Sequence, residues 1–479
     1  MYIYELAAIV CYFIILLIVG LLSYKRHLSA ADFIIGGRSL NYWLTALAAH
    51  ASDMSSWLFM GYPSIIFIGG LANAWTAVGL ALFMYLNWQL VAPRIRVATE
   101  QYNSLTFSSF FESRLADTSG VIRIFTAIMS LIFYSIYISA ALVGLGILLQ
   151  TLFGLHFALG ILIGTLIVIP YVFMGGYHTL AWIDLFQGLF LMVVIICVPL
   201  YILGYIGGWD TIALEMQVKN ISLSLLPKGP NPILNVIFMT IGWGIGYFGQ
   251  PHIVTKFMGI KNVKEIPKSK YIGMSWMVLS LGAATLVGIV GIGFFKNGIS
   301  DPEQVFIEMV REVFHPFLIG FILCAILAAT INAMSSQVLV LSSTITEDFY
   351  KRFANKDASS RTLLIVSRVG VIVVAAVAFA IAYFSSRSIY TLVLYAWSGL
   401  GAAFGPLLLL CLYSKKINKY GAWAGILSGG LIAGIWPYFD PHIFSIPVPS
   451  LIPGFFGSLI MIFIVSYATQ HLNAKEENL

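Results

Sequence analysis

A short polar stretch interrupts an otherwise apolar part of the chain around Asp53. The sequence there reads ASDMSSWLFMGYP, with Asp53 among serines and a glycine and a proline downstream. A carboxylate in hydrocarbon costs ~2.5–3.5 kcal/mol on insertion scales, so Asp53 needs a cation or a hydrogen-bond network as its partner. An unwound segment also frees backbone carbonyls, here those of Ala51 and Met54, which suit a small cation. The pattern predicts an ion site at a helix break.

A second interrupted apolar segment carries aromatic residues. It reads IGWGIGYFGQP, in which Trp243 and Tyr247 are one helical turn apart among glycines that precede a proline. Their rings, with Trp57 and Tyr137 from other segments, are candidate walls for a small solute. The alternative is that glycine and proline mark packing contacts or kinks and that the rings lie in the core or face lipid. Their position beside a helix break favours the solute site.

Small and polar residues share one face of a third apolar segment, AILAATINAMSSQ. Helical spacing aligns Ala329, Asn332, Ala333 and Ser336, of which Asn332 and Ser336 are polar. Close helix packing, with the polar side chains bonded back to their own helix, explains such a stripe equally well. Asp184, in LAWIDLFQ, is either an interfacial capping residue or part of an ion path.

Membrane helices must position these residues, as the composition of the chain indicates. The 479 residues are 59% hydrophobic and 10% charged, and the mean hydropathy is +0.92. These values predict an all-α membrane protein with one transporter domain over 1–479 and about 13 transmembrane helices. The first apolar run lacks a basic leader and a cleavage site, so we expect it to be retained. The predicted spans are 3–24, 41–69, 71–92, 119–150, 156–174, 178–206, 231–250, 270–295, 316–345, 361–384, 388–413, 419–439 and 449–470.

The basic residues fall unevenly on the two sides of these spans. One set of alternate loops holds only five of them, Lys219, Lys228, Lys296, Arg311 and Arg387, whereas the opposite set holds nineteen. Since cytoplasmic loops are enriched in lysine and arginine, this asymmetry predicts the N-terminus outside and the C-terminus inside. The two broken spans lie five spans apart, as expected of two inverted five-helix repeats, at about 41–206 and 231–413.

Four motifs resemble the sodium/solute symporter family, over nearly the whole chain. They are GGRSL at 36–40, ASDMSSWLFMGYP at 51–63, GWGIGYFGQPHI at 242–253 and SSTITEDFYKR at 342–352. Within the family, the sequence is most similar to bacterial members that take up proline. The resemblance implies the inverted-repeat fold with one extra N-terminal helix and two extra C-terminal helices. It also implies a bacterial plasma-membrane protein that moves a small amino acid together with sodium.

The resemblance further implies specific site residues. The sodium ligands would be the carbonyls of Ala51, Met54 and Ala329, between the second and ninth spans, with Asp53 and Ser55 important for ion binding. The implied solute-site residues are Trp57, Tyr137, Trp243, Tyr247 and Pro251. Arg38 and Asp184 match positions that the family uses in transport.

The chain departs from the family pattern at the ion site. Asn332 and Ala333 stand where two hydroxyl side chains are usual, so Asn332 offers a carbonyl oxygen and Ala333 offers none. Ser336 is a substitute ligand in this interpretation. Ser56 replaces a glycine, and His50 occupies a position usually held by a small residue. Histidine titrates near neutrality, so His50 is either a proton site or a packed histidine, and the packed histidine is favoured.

The expected function is secondary active import of a zwitterionic amino acid, L-proline, with Na⁺ as the coupling ion and no organic cofactor or nucleic-acid partner. Proton-coupled transport and another solute, such as pantothenate, a sugar or an acidic sugar, are the alternatives within transport. A passive channel and a membrane sensor are the alternatives outside it, although the short C-terminal tail leaves no room for a kinase. An enzyme is not expected, because paired catalytic carboxylates, HExxH-type motifs and a nucleophile elbow are missing from the sequence.

Overall fold

The computed structural model describes residues 2–23, 34–174, 177–229, 231–355, 357–385, 388–443 and 446–472. Within these ranges the chain is a bundle of helices. The α-helices are α1 (Tyr2–Ser23), α2 (Tyr42–Ala51), α3 (Gly61–Gly69), α4 (Trp75–Leu86), α5 (Ala92–Gln101), α6 (Phe107–Arg114), α7 (Val121–Phe153), α8 (Phe157–Met174), α9 (Tyr177–Tyr205), α10 (Trp209–Val218), α11 (Pro232–Gly244), α12 (Pro251–Met258), α13 (Ile266–Phe294), α14 (Val305–Val313), α15 (Pro316–Ser343), α16 (Ser360–Phe384), α17 (Ile389–Tyr413), α18 (Lys419–Ile443) and α19 (Leu451–Ala468).

Eleven helical segments of the described chain are long and apolar enough to cross a membrane. The other two predicted spans are also helical but shorter: the 41–69 span is divided into two helices, and the 156–174 span is α8. Thirteen crossings therefore stay a prediction. Arg387, which entered the charge argument, lies outside the described residues.

The first break separates α2 from α3. The backbone turns after Ala51, where the N–H groups of Asp53 and Met54 both point at the carbonyl of His50, at 3.3 and 3.4 Å. A 3₁₀ turn, Ser56–Leu58, follows, and α3 begins at Gly61. Pro63 lies in the first turn of α3, where its missing N–H removes no helical hydrogen bond. The predicted interruption of the second span is confirmed.

The second break separates α11 from α12. A 3₁₀ turn, Ile245–Gly249, joins them, and Gln250 is extended before Pro251 begins α12. Glycine is required here for close packing: a Cβ on Gly246 would lie 2.1 Å from Nε1 of Trp397, and one on Gly249 would lie 2.6 Å from the backbone nitrogen of Gly405. The breaking residues therefore also let α17 approach the turn.

Three long helices surround the breaks. The second break packs on α17, which in turn packs on α7, α18 and α19. The α15 helix packs against α1, α7 and α9 and contacts both α2 and the 3₁₀ turn of the first break. Buried side chains concentrate in α7, α15 and α17. The two breaks consequently lie at the centre of the bundle, away from lipid.

Candidate functional site

A small cavity lies where the two breaks meet. Its volume is about 10 Å³, which is room for about one water molecule. The lining residues are Asp53, Met54, Trp57, Leu80, Tyr137, Trp243, Tyr247, Val393 and Trp397. The four aromatic residues predicted from the sequence therefore line one cavity together. Pro251 does not line this cavity, because it begins α12 on the far side of Gln250.

The aromatic rings pack on one another around this cavity. The ring of Trp243 lies 5.1 Å from that of Trp57 and 5.3 Å from that of Tyr390, to whose hydroxyl its indole N–H donates at 3.0 Å. The ring of Trp397 meets that of Tyr247 edge-on at 4.9 Å. Such contacts hold the rings against one another in this state, so the rings must move apart to admit a solute larger than a water molecule.

Trp397 and Gln250 belong to the site, and sequence reasoning missed both. The indole N–H of Trp397 donates to the carbonyl of Trp243 at 2.8 Å, and the amide of Gln250 donates to the carbonyls of Gly246 and Trp397. These bonds satisfy backbone groups that an unwound helix leaves exposed. A usable signal in the sequence was Gly246, because its lack of a side chain leaves room for a bulky residue from another helix.

Asp53 is bonded across the site to Tyr247. The carboxylate is buried, and its Oδ2 accepts a hydrogen bond from the Tyr247 hydroxyl. This contact joins the first break directly to the second. The partner that a buried carboxylate requires is thus supplied by the protein in this state, by a neutral donor rather than an opposite charge.

The predicted ion ligands lie at the first break and on α15. Neither the Ala51 nor the Met54 carbonyl accepts a backbone hydrogen bond from the described residues. On α15, both amide atoms of Asn332 and the hydroxyl of Ser336 are buried and have no hydrogen-bond partner in the described chain. Ala329 and Ala333 are buried on the same helix. These oxygens suit a small hard cation, and Ala333 contributes only a methyl group.

Ser55 and Ser56 support the first break in different ways. The Ser55 hydroxyl accepts the N–H of Trp57 at 3.3 Å and so caps the 3₁₀ turn. The Ser56 hydroxyl is buried without a partner among the described residues, and a Cβ on Gly144 would lie 2.6 Å from it. The serine that replaces a glycine here is accommodated because α7 offers a glycine opposite it.

Asp184 forms a buried ion pair. Its Oδ2 accepts a hydrogen bond from Nζ of Lys256 at 3.1 Å, and both side chains are almost fully buried. The ammonium also lies 5.0 Å from the centre of the Tyr177 ring. Asp184 thus joins α9 to α12 through Lys256. The lysine partner was not predicted from the sequence.

His50 is enclosed by aromatic rings. The indole N–H of Trp88 donates to its Nε2 at 3.1 Å, and the rings of Trp88 and Trp276 each lie 6.1 Å from the imidazole. A Cβ on Gly273 would approach the ring to 2.4 Å. Nε2 accepts this hydrogen bond from Trp88 and so carries no proton. Protonation of the neutral imidazole at Nε2 would therefore break the Trp88 contact. This environment favours a packed histidine.

Arg38 joins the ends of two helices. Its guanidinium donates to the carbonyls of Met258 (3.0 Å), Thr99 (2.9 Å) and Ser104 (3.2 Å) and to the Thr99 hydroxyl at 3.1 Å. Met258 ends α12 and Thr99 lies in the last turn of α5, so the cation is placed where helix dipoles favour it. Arg38 does not line the aromatic cavity, and its contact with α12 is at the carbonyl of Met258.

Glu303 closes the site on the side of the less basic loops. It lies in a 3₁₀ turn (Pro302–Gln304), and its two carboxylate oxygens accept the N–H groups of Ile389 and Tyr390 at 3.1 and 3.0 Å. These donors begin α17, and one of them, Tyr390, is the residue whose hydroxyl accepts the hydrogen bond from Trp243. Burial raises the pKa of Glu303 above its usual value, and the two N–H donors oppose that shift.

The chain matches known proteins over most of its length. The model of the sodium:solute symporter family matches residues 33–429. The high-affinity proline transporter PutP of Bacillus subtilis is 40% identical over 460 residues, covering 95% of this chain and 96% of that protein. Sodium/proline symporter 2 of Staphylococcus saprophyticus is 40% identical over 474 residues, covering 96% and 92%.

Solved structures share the fold at low sequence identity. A Na⁺-coupled sialic acid symporter superposes with a TM-score of 0.80 at 17% identity, covering 97% of this chain and 98% of that one. Mhp1, a nucleobase-cation-symport-1 family transporter, superposes with a TM-score of 0.58 at 14% identity, covering 94% and 96%. The family match and the identity to its bacterial members make this chain a multi-pass bacterial plasma-membrane protein and a member of the sodium:solute symporter family.

Proposed function

We propose that this protein imports L-proline together with Na⁺. The observation that carries the proposal is the aromatic cavity at the junction of the two breaks, in a chain 40% identical to a proline transporter over nearly its full length. The pyrrolidine ring would pack against Trp57, Tyr137, Trp243 and Tyr247. An aromatic site with one carboxylate disfavours a strongly anionic solute such as an acidic sugar.

In this proposal the coupling ion binds to neutral oxygens at the first break and on α15. Ala51, Met54 and Ala329 would offer carbonyls, and Asn332 its side-chain oxygen, with Ser336 able to complete the shell. Asp53 would act indirectly, by holding the break against Tyr247, and Asp184 by holding α9 against α12. Since Ala333 offers no oxygen, we expect sodium to bind more weakly than at a site with two hydroxyl ligands.

One sodium ion per solute is sufficient to drive accumulation. A charge moving through ~100 mV releases ~2.3 kcal/mol, and a tenfold ion gradient adds ~1.4 kcal/mol. The sum corresponds to accumulation of roughly several hundredfold.

We also propose that the C-terminus lies inside, from the charge asymmetry of the loops. From the spacing of the breaks, we propose two inverted repeats at about 41–206 and 231–413.

Uptake of radiolabelled L-proline into proteoliposomes tests the proposal, with sodium and proton gradients imposed separately. We expect accumulation with an inward sodium gradient and none with a proton gradient in sodium-free buffer. Trp243→Phe should weaken proline binding while the protein stays in the membrane. Failure of unlabelled proline to compete would reject proline as the solute. Uptake that follows the proton gradient and disappears in His50→Gln would reject sodium in favour of protons.

A further inference from the structure

A second cavity lies beyond the aromatic one, towards the more basic loops. Its volume is about 30 Å³, enough for roughly two water-sized groups. Pro251 and His252 of α12 line it together with Thr126, Lys256 and Ser336. Because Pro251 directly follows the second break and Ser336 lies on the face of the predicted ion ligands, this cavity adjoins both proposed sites. It is separate from the aromatic cavity, with which it shares no lining residue.

The hydrogen bonds of His252 determine which of its ring nitrogens carries a proton. The Tyr134 hydroxyl oxygen accepts the backbone N–H of His252 at 2.9 Å and lies 3.0 Å from Nδ1. A hydroxyl can accept twice and donate once, and the Tyr134 hydroxyl has no other acceptor among the described residues, so we assign its proton to the bond with Nδ1 and the proton of the neutral imidazole to Nε2. Nε2 is buried and has no hydrogen-bond partner in the described chain. His252 therefore directs an unused N–H donor at the cavity that it lines.

Three further side chains of the cavity, Thr126, Ser336 and Lys256, also offer donors. The hydroxyls of Thr126 and Ser336 are buried without partners among the described residues. The Lys256 ammonium, one helical turn from His252, donates one hydrogen bond to Asp184 and retains two further N–H groups. A buried donor without an acceptor costs about 1–3 kcal/mol, so several in one cavity indicate an acceptor-rich ligand. The ammonium excludes an inorganic cation, whereas a carboxylate fits.

We propose that this cavity is a transit subsite for the carboxylate of the transported solute. The inference rests on the proposed function in that it takes the solute to be an amino acid. The carboxylate accepts hydrogen bonds from His252 Nε2, the Lys256 ammonium and the two hydroxyls as the solute leaves the aromatic cavity. Since Asp184 already neutralises much of the Lys256 charge, binding is weak, which suits a group that must be released again.

The floor of this cavity is closed by a polar network. The hydroxyls of Thr106 and Ser108, which line the cavity, both donate to the buried carboxylate of Asp348. Arg123 binds Asp348 at 3.3 Å and Glu112 at 2.5 Å. In this proposal the solute leaves after these contacts break and α6 moves away from Thr344–Ala354, the π-helical segment that follows α15 and carries Asp348. The subsite thus holds the carboxylate while the floor opens.

Binding of formate tests the subsite without assuming which solute is transported. Thermal unfolding of the purified transporter is measured with sodium formate, and with sodium chloride plus formamide at the same sodium concentration. We expect formate, but not its neutral analogue formamide, to raise the unfolding temperature saturably. The effect should persist in His252→Gln, which keeps an N–H donor, and in His156→Phe, a control at an exposed histidine. It should be lost in His252→Phe.

The proposal is overturned if formate stabilises no more than formamide, or stabilises His252→Phe as much as the wild type. If His252→Phe does not fold, Thr126→Val replaces it, and an unchanged half-effective formate concentration in that variant overturns the proposal. Proline transport is read separately. His252→Phe should lower turnover about tenfold with equilibrium proline binding unchanged, and unchanged turnover rejects the transit role. Absence of proline transport by the wild type rejects the proposed function and leaves the formate result as it stands.

Discussion

At the scale of single residues, the bond between Asp53 and Tyr247 is the shortest connection between the two breaks. It places a carboxylate under the aromatic cavity without an opposite charge. A cation arriving at the freed carbonyls nearby would be attracted by this charge, which acts without direct ligation. The same bond fixes the Tyr247 ring that forms one wall of the solute cavity. One contact therefore affects both proposed sites.

We expect Asp53→Asn and Tyr247→Phe each to lower sodium-driven uptake by roughly 10- to 100-fold. The reason is that a buried hydrogen bond to a charged group contributes ~1.5–3 kcal/mol. The double variant should lose little more than either single variant, because both remove the same contact. Uptake per transporter in proteoliposomes measures this. Fully additive losses would show that the two residues act independently.

Ala333→Thr should lower the sodium concentration for half-maximal uptake by about tenfold, the effect of ~1.4 kcal/mol of added ligation. The hydroxyl adds the oxygen that α15 does not offer beside Asn332. Ala333→Val is the matched control, since valine has the shape of threonine without its oxygen, and it should not improve sodium affinity. An equal response to threonine and valine would assign the effect to packing instead of coordination.

At the scale of elements, the helix ends around the site are fixed by charged side chains from distant segments. Arg38 holds the C-terminal ends of α5 and α12, and Glu303 holds the N-terminus of α17. Each charge lies where the helix dipole favours it. Because α12 carries His252 and Lys256, and α17 carries Trp397, these contacts fix the position of groups that line the two cavities.

Glu303→Ala should reduce turnover about tenfold, because it leaves two buried N–H groups of α17 without acceptors and weakens the closed state. Glu308→Ala on α14 is the matched control. Among the described residues Glu308 pairs with Arg311 of the same helix, and both side chains are partly exposed, so its loss should have little effect. Initial rates of uptake at saturating solute measure both variants. Normal turnover in Glu303→Ala would assign Glu303 to stability alone.

At the scale of the whole molecule, the distribution of basic loops determines the expected orientation. Cysteines placed singly at Lys228 and Lys416, both exposed, lie in loops of opposite sets. In a variant whose four native cysteines are replaced, we expect an impermeant thiol reagent added to intact cells to label position 228 and not 416. The reverse labelling would invert the topology, and labelling of both would indicate a different number of spans between them.

The sequence by itself determined the membrane class, the helical segments and the two places where helices break. These are local properties: hydropathy over about twenty residues identifies a span, and clustered glycine, proline and polar residues identify a break. It also indicated candidate residues of the aromatic site, because Asp53, Trp243 and Tyr247 lie beside those breaks. Family resemblance added residues that local patterns do not single out, such as Arg38 and Pro251.

Only the tertiary structure decided which groups meet. Lys256 is one of the nineteen basic residues counted in the more basic loops, yet it is buried on Asp184, and the smallness of Gly246 did not show that its neighbour is Trp397. For His50 the sequence left a proton site as the less favoured alternative, and only the structure places the Trp88 indole N–H against its Nε2. These contacts join residues far apart in the chain, and they depend on how α9, α12 and α17 pack against the breaks. Hydrophobic burial positions whole helices and is non-directional, so the polar pairs formed inside the bundle follow from the packing and not from sequence spacing.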